Sequence, residues 1–171
     1  MNQKKFLAML EPLEPKLFGF AYRMLRDEHK VKDAMQELNL KLWNKRKQLN
    51  TNSNISAYCF KVMHNICIDE FRYEESKLKV SSRTKRSGDP GPDGVLLELD
   101  IERRELVEKI RKAVDQLPGK QKAIIELHDF QELSHSEIAE ILDMEVNAVR
   151  VNLSRARAKV VAQFQKEEIY D

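Results

Sequence analysis

The chain has 171 residues, 42% hydrophobic and 34% charged, with a formal net charge of +2. That length allows one large domain or two small ones, and that balance excludes a disordered chain. No apolar run reaches the roughly 20 residues a bilayer crossing needs, and MNQKKFLAMLEPLEP has no signal-peptide core, so a cytoplasmic protein without membrane insertion is expected.

Residues 2–26 carry apolar positions at Phe6, Leu10, Leu13, Leu17, Phe20, Tyr22 and Leu25. Pro12 and Pro15 interrupt or open a helix there, and Pro15 suits a first turn. A second helix is expected after Asp27, running to about Lys47, with Val31, Ala34, Met35, Leu38, Leu42 and Trp43 inward. The stretch QLNTNSN, 48–54, has the Asn, Ser and Thr density of a loop. A third helix, about 55–75, buries some combination of Ile55, Cys59, Val62, Met63, Ile66 and Phe71. Cys59 and Cys67 lack CxxC spacing and read as small core residues in a reducing compartment. Residues 76–94, rich in Ser, Lys, Arg, Gly and Pro, read as a flexible basic linker. A helix from about 95 to 116 follows, then a break at Leu117-Pro118-Gly119, then a helix holding Ile124, Ile125, Leu127 and Phe130.

The stretch SHSEIAEILDMEVNAVRVNLSRARAKV, 134–160, carries the strongest pattern. Ser134 and Glu137 form a capping box, and Ile138, Ala139, Ile141 and Leu142 give the helix behind it an apolar face. Asp143 and Met144 fall at a turn. The next helix repeats Val146, Val149, Leu153, Ala156 and Val160 as an inward stripe. Asn147, Val151, Ser154 and Ala158 point away from it, with Arg150 and Arg157 on one side and Arg155 and Lys159 on the other. Five basic residues stand against one acid between 145 and 166, whereas 95–144 has a net charge of −5. A solvated basic helix has such charges, but a capped helix and a short turn in front of it make a helix-turn-helix that reads a DNA major groove. The expected fold is all-α: a domain over 1–75, a linker over 76–94 and a helix-turn-helix domain over 95–171.

Two motif sets carry a resemblance. Leu117-Pro118, Glu137-Ile138-Ala139, Val149-Arg150 and Arg155-Ala156-Arg157 look like region 4 of bacterial sigma factors of the extracytoplasmic-function group, in the sigma-70 family. Asp33, Gln36-Glu37, Lys41-Leu42-Trp43, and Asn65, Ile68-Asp69 and Arg72 resemble region 2 of the same group. Departures from the family pattern are Asp143 and Glu145 in place of glycine and serine, Ala148 of threonine, Asn39 of phenylalanine and Tyr58 of tryptophan.

The resemblance implies a subunit that binds core RNA polymerase and directs it to promoter DNA, with an anti-sigma factor as regulator and no catalysis of its own. It implies polymerase docking by Asp33, Gln36, Glu37, Leu40 and Lys41. It implies handling and melting of the minus-10 element by Asn50, Asn52, Asn54, Tyr58, Lys61, Asn65 and Arg72. Contact with the minus-35 element falls to Asn147, Ala148, Arg150, Val151, Ser154, Arg155 and Arg157. Arg157, nearer the packed stripe, reads as a phosphate-contacting or structural residue. Tyr58 is either a stacking face or a core aromatic, and Asn65 and Asp69 either contact DNA or serve helix packing. The linker either runs near the polymerase active centre or is a solvated tether.

No metal, cofactor or small-molecule substrate is expected. His29, His64, His128 and His135 have no partners at ligand spacing, and no phosphate-cradling glycine loop or paired-carboxylate pattern is present. Two other classes compete. A dimeric operator-binding regulator would need a self-complementary helical seam, and a pure adaptor would leave Arg150, Arg155 and Arg157 without a purpose. Binding to core polymerase separates all three.

Overall fold

A computed structural model describes residues 2–50, 54–79 and 101–170, and no strand occurs among them. Among the described residues, eight α-helices fall in two compact units, one built on α1–α4 and one on α5–α8.

In the first unit, α1 (Gln3–Leu10) opens on Asn2, whose side chain accepts from the Lys5 N–H at 3.0 Å. Pro12 has no N–H to extend its ladder, and α2 (Glu14–Leu25) begins with Pro15 in its first turn. Asp27 caps α3 (Glu28–Asn44) by accepting from the Lys30 N–H at 3.1 Å. This helix ends three residues before the expected Lys47. Arg46 donates to the Trp43 carbonyl at 2.9 Å and lies 4.2 Å over its ring, satisfying the helix end with a side chain. A 3-10 turn (Gln48–Asn50) follows. Asn54 then caps α4 (Ile55–Leu78), accepting from the Ala57 N–H at 3.1 Å.

Helices α2, α3 and α4 pack pairwise. Leu17, Phe20 and Met24 meet Val31, Leu38, Leu42, Phe60 and Met63 in a core that is essentially closed to solvent. Phe20 and Phe60 meet edge to face at 5.7 Å, and Phe6 meets Trp43 likewise at 5.1 Å. Lys30 of α3 bridges Glu70, at 3.2 Å, and Glu74 of α4. Of the six candidates for the buried face of α4, Cys59, Met63 and Ile66 are buried, and Ala57, Phe60 and Cys67 join them. Ile55, Val62 and Phe71 are only half-buried. The helix reaches three residues into the stretch read as linker. Ser76 donates to the Tyr73 carbonyl and Lys77 sits over the Tyr73 ring, contacts one turn apart that extend the ladder. Linker residues 80–94, and 95–100 of the following helix, lie outside the described residues.

In the second unit, α5 (Ile101–Asp115) and α6 (Gly119–Ile125) both pack on α8 (Val146–Tyr170). Pro118 stands at the start of α6, and Lys122 is buried because its ammonium pairs with Asp115 at 2.8 Å. The helix expected to continue from Ile125 widens into a π-helical segment, Glu126–Phe130, closed by the Gln131 N–H on the Glu126 carbonyl at 3.1 Å. The apolar spacing of Ile124, Ile125 and Leu127 fits either geometry, and Phe130 ends up exposed. The short helix α7 (His135–Leu142) precedes α8. The core here is Val114, Leu117, Ile124, Ile125, Leu127, Ile138, Ile141, Val149, Leu153 and Ala156.

Candidate nucleic-acid interface

The capping box forms as the sequence predicts. Ser134 Oγ accepts from the Glu137 N–H at 3.2 Å, and Glu137 Oε2 accepts from the Ser134 N–H at 2.9 Å. Two backbone donors that would otherwise lack partners are satisfied, so α7 starts at a fixed place. It stops at Asp143, which takes the left-handed conformation at φ 51°, and the Met144 N–H bonds the Ala139 carbonyl at 2.9 Å. Aspartate tolerates that conformation where a glycine would be usual. The Glu145 carbonyl then accepts the Val149 N–H at 3.1 Å and α8 begins.

Along α8, Val149, Leu153 and Ala156 are buried, and Val146 and Val160, at the ends of the stripe, are half-buried. The opposite side shows Asn147, Val151 and Ser154 to solvent, with Arg150 and Arg155 also exposed. Ala148 is half-buried, and its carbonyl accepts from Asn152 Nδ2 at 2.9 Å. Among the described residues, Arg150 and Arg155 make no ion pair or hydrogen bond. Lys159 donates to Gln121 Oε1 at 3.0 Å and so ties α8 to α6.

Arg157 differs from its neighbours. Its Nε lies 3.2 Å from Asp129 Oδ2, and a terminal nitrogen bonds Asp129 Oδ1. His128 Nδ1 lies 2.8 Å from the same Oδ1, and the His128 ring stacks on His135 at 4.9 Å. Partial burial pushes the Asp129 carboxyl up, but the bonds from Arg157 and His128 outweigh it and hold the group below its ordinary value. The same bond raises the Arg157 guanidinium, which stays charged throughout. Asp129 is 28 residues from Arg157, and no local signal in the sequence links them. The π-helical segment carries it there.

In the first unit, Asp33, Gln36, Glu37, Leu40 and Lys41 share the exposed side of α3, at helical spacing, opposite the buried Ala34, Leu38 and Leu42. Leu40 is 64% exposed, and Glu37 pairs with Lys41 at 2.7 Å. Tyr58, Lys61, Asn65 and Arg72 lie on one side of α4 at spacings of three, four and seven. Tyr58 and Lys61 are half-buried, and Asn65 and Arg72 are exposed. Asp69 faces Arg72 at 3.8 Å. The Asn54 side-chain oxygen is engaged as the α4 cap, Asn50 ends the 3-10 turn, and Asn52 lies outside the described residues. No group of three or more metal-binding side chains occurs among the described residues, and no helix there is long and apolar enough to cross a membrane.

Two helical units, the second ending in a capped helix, a left-handed turn and a basic helix, define a two-module DNA-binding protein of the helix-turn-helix class. Residues 9–77 match the sigma-70 region 2 family and residues 96–160 match sigma-70 region 4. The chain is 26% identical to the ECF RNA polymerase sigma factor SigW of Bacillus subtilis, over 96% of this chain and 91% of that one. The fold matches the sigma factor RpoE of Bartonella quintana, solved in complex with the anti-sigma factor NepR, with a TM-score of 0.77 at 22% identity, covering 95% and 98% of the two chains. It also matches CnrH, solved with the cytosolic domain of CnrY, with a TM-score of 0.72 at 20% identity over 96% and 90%. The chain belongs to the sigma-70 family of transcription initiation factors, in its extracytoplasmic-function group.

Proposed function

We propose that this chain binds core RNA polymerase through the exposed side of α3, reads the minus-35 element with α8, and melts promoter DNA with its first unit. The observation that carries the reading is the exposed edge of α8. Arg150 and Arg155 stand unpaired among the described residues, beside Asn147, Val151 and Ser154, behind a helix whose start and stop are both fixed. An arginine fork donates two bonds to guanine in the major groove, and each such contact is worth about 1–3 kcal/mol of base discrimination. Ala148 adds a small surface at the same edge.

Melting has a different physical requirement. Extruding a base costs a few kcal/mol, which a pocket and a stacking surface recover. Tyr58 offers such a surface, worth about 1–3 kcal/mol per base, and Lys61, Asn65 and Arg72 on the same side of α4 suit strand contacts. Asn50 and Asn52 supply amides nearby in sequence, while Asn54 serves first as a helix cap. The two units act as domains joined by the basic stretch from 79 to 94. Residues 76–78 belong to α4 rather than to the linker.

Regulation by an anti-sigma factor fits a chain whose fold matches a sigma factor solved with one. The reading places the protein in the cytoplasm, without cofactor, metal or reaction of its own. Mixing the chain with core polymerase tests it. Co-elution and run-off transcription from promoters selected out of genomic DNA are expected. A chain that binds DNA alone and never changes polymerase output would be an ordinary regulator instead.

A further inference from the structure

Arg150 and Arg157 stand seven residues apart on α8, two turns along and only about 20° around the helix. Both lie on the edge assigned above to DNA, and both are exposed. Their surroundings differ. Arg150 makes no ion pair among the described residues. One edge of the Arg157 guanidinium is taken by both oxygens of Asp129, and His128, whose ring rests on His135 at the start of α7, reaches the same Oδ1 with its Nδ1, 3.3 Å from the Arg157 nitrogen that also bonds it. A carboxylate held on the Nε edge of a guanidinium cancels its charge, so a paired Arg157 attracts a phosphate far less than a free one does.

We propose that Asp129 withholds Arg157 from the DNA backbone and so limits the sequence-independent part of promoter affinity. The inference rests on α8 being the promoter reader. A phosphate contact adds the same attraction to every sequence, whereas a base contact adds it to one. Specificity is the difference between right and wrong sites. Neutralising one arginine on the reading edge lowers the common, salt-dependent attraction and leaves the difference set by Arg150 and Arg155 as it is.

The test uses holoenzyme reconstituted with core polymerase, binding a promoter fragment and the same fragment with its upstream element scrambled. Binding is measured over a salt series, below the temperature at which the duplex opens. One added phosphate contact steepens the slope of log affinity against log salt by about 0.9. Asp129→Asn is expected to steepen it by that amount and to strengthen binding to both fragments alike, leaving the affinity ratio between them as it is. Arg157→Gln alone should leave the slope as it is. Asp129→Asn combined with Arg157→Gln should restore it. An unchanged slope in Asp129→Asn overturns the proposal, and so does a slope about 0.9 flatter in Arg157→Gln, which would place that guanidinium on phosphate already. Should Asp129→Asn lose its helical circular dichroism, Arg157→Gln decides the question by itself. Arg150→Ala and Arg155→Ala serve as controls. If neither changes the ratio between the fragments, the reading of α8 fails, and this inference with it.

Discussion

Cys59 lies on α4 with no exposed surface, and burial pushes its thiol up from an ordinary 9.0 to about 11. The folded protein therefore disfavours the reactive thiolate. An acid whose folded value lies above its unfolded one contributes stability below the unfolded value and loses it as pH rises through the folded one. Here that window runs from about 9 to about 11, and the first unit should lose stability across it. Denaturant titrations at pH 8 and pH 10.5 measure the loss, and Cys59→Ala should flatten it. At pH 8 the folded chain should react with a thiol reagent far more slowly at Cys59 than the unfolded chain does. The core role of both cysteines was legible from their spacing alone. The partner of Arg157 was not, although its place nearer the packed stripe already set it apart from Arg150. Only the placement of Asp129, far away in sequence, separates an exposed arginine from a paired one.

At the scale of elements, the helix starts were written in local chemistry. Asp27 and Ser134 each accept the backbone N–H three residues on, and Pro15 opens α2. The stops were harder to see. Among the described residues, three take a positive φ, Arg26 at 54°, Glu132 at 57° and Asp143 at 51°, and none of these is glycine. A reading that looks for glycine at helix ends finds only one of these turns, the one at Asp143, and finds it through the helix-turn-helix pattern. Glu132, like Arg26 and unlike Asp143, has a long unbranched side chain that gains no local bond favouring the left-handed region. It is exposed, two residues past the π-helical segment that positions Asp129. Glu132→Gly should relieve the strain at some cost in unfolded-chain entropy, for a net gain of about 0.5 kcal/mol, and Glu132→Val should lose more than that. Thermal melts of the two variants check the signs. If Glu132→Val melts above the parent, the turn is not strained.

At the scale of the molecule, the proposed reading puts core attachment on α3 of the first unit and the minus-35 contact on α8 of the second, so the two should fail in different ways. Leu40 is a large apolar side chain, 64% exposed, flanked on α3 by the charged pair of Glu37 and Lys41. Removing it uncovers no core, so Leu40→Ala should change folding stability by less than about 0.5 kcal/mol. An apolar anchor inside a polar rim commonly contributes more than 1 kcal/mol to an interface, so its loss should weaken core association by about fivefold or more. That defect is one of occupancy. Raising the concentration of the variant should restore transcription from every promoter to the same degree. Arg155→Ala should do the opposite: normal association with core, a loss confined to promoters that depend on their upstream element, and no rescue by concentration once core is saturated. Multi-promoter transcription across a titration of each variant separates the two patterns. Should Leu40→Ala bind core as the parent does, the exposed side of α3 is not the docking face. Should the Leu40→Ala defect vary from promoter to promoter at saturating core, attachment and promoter choice are not divided between the two units.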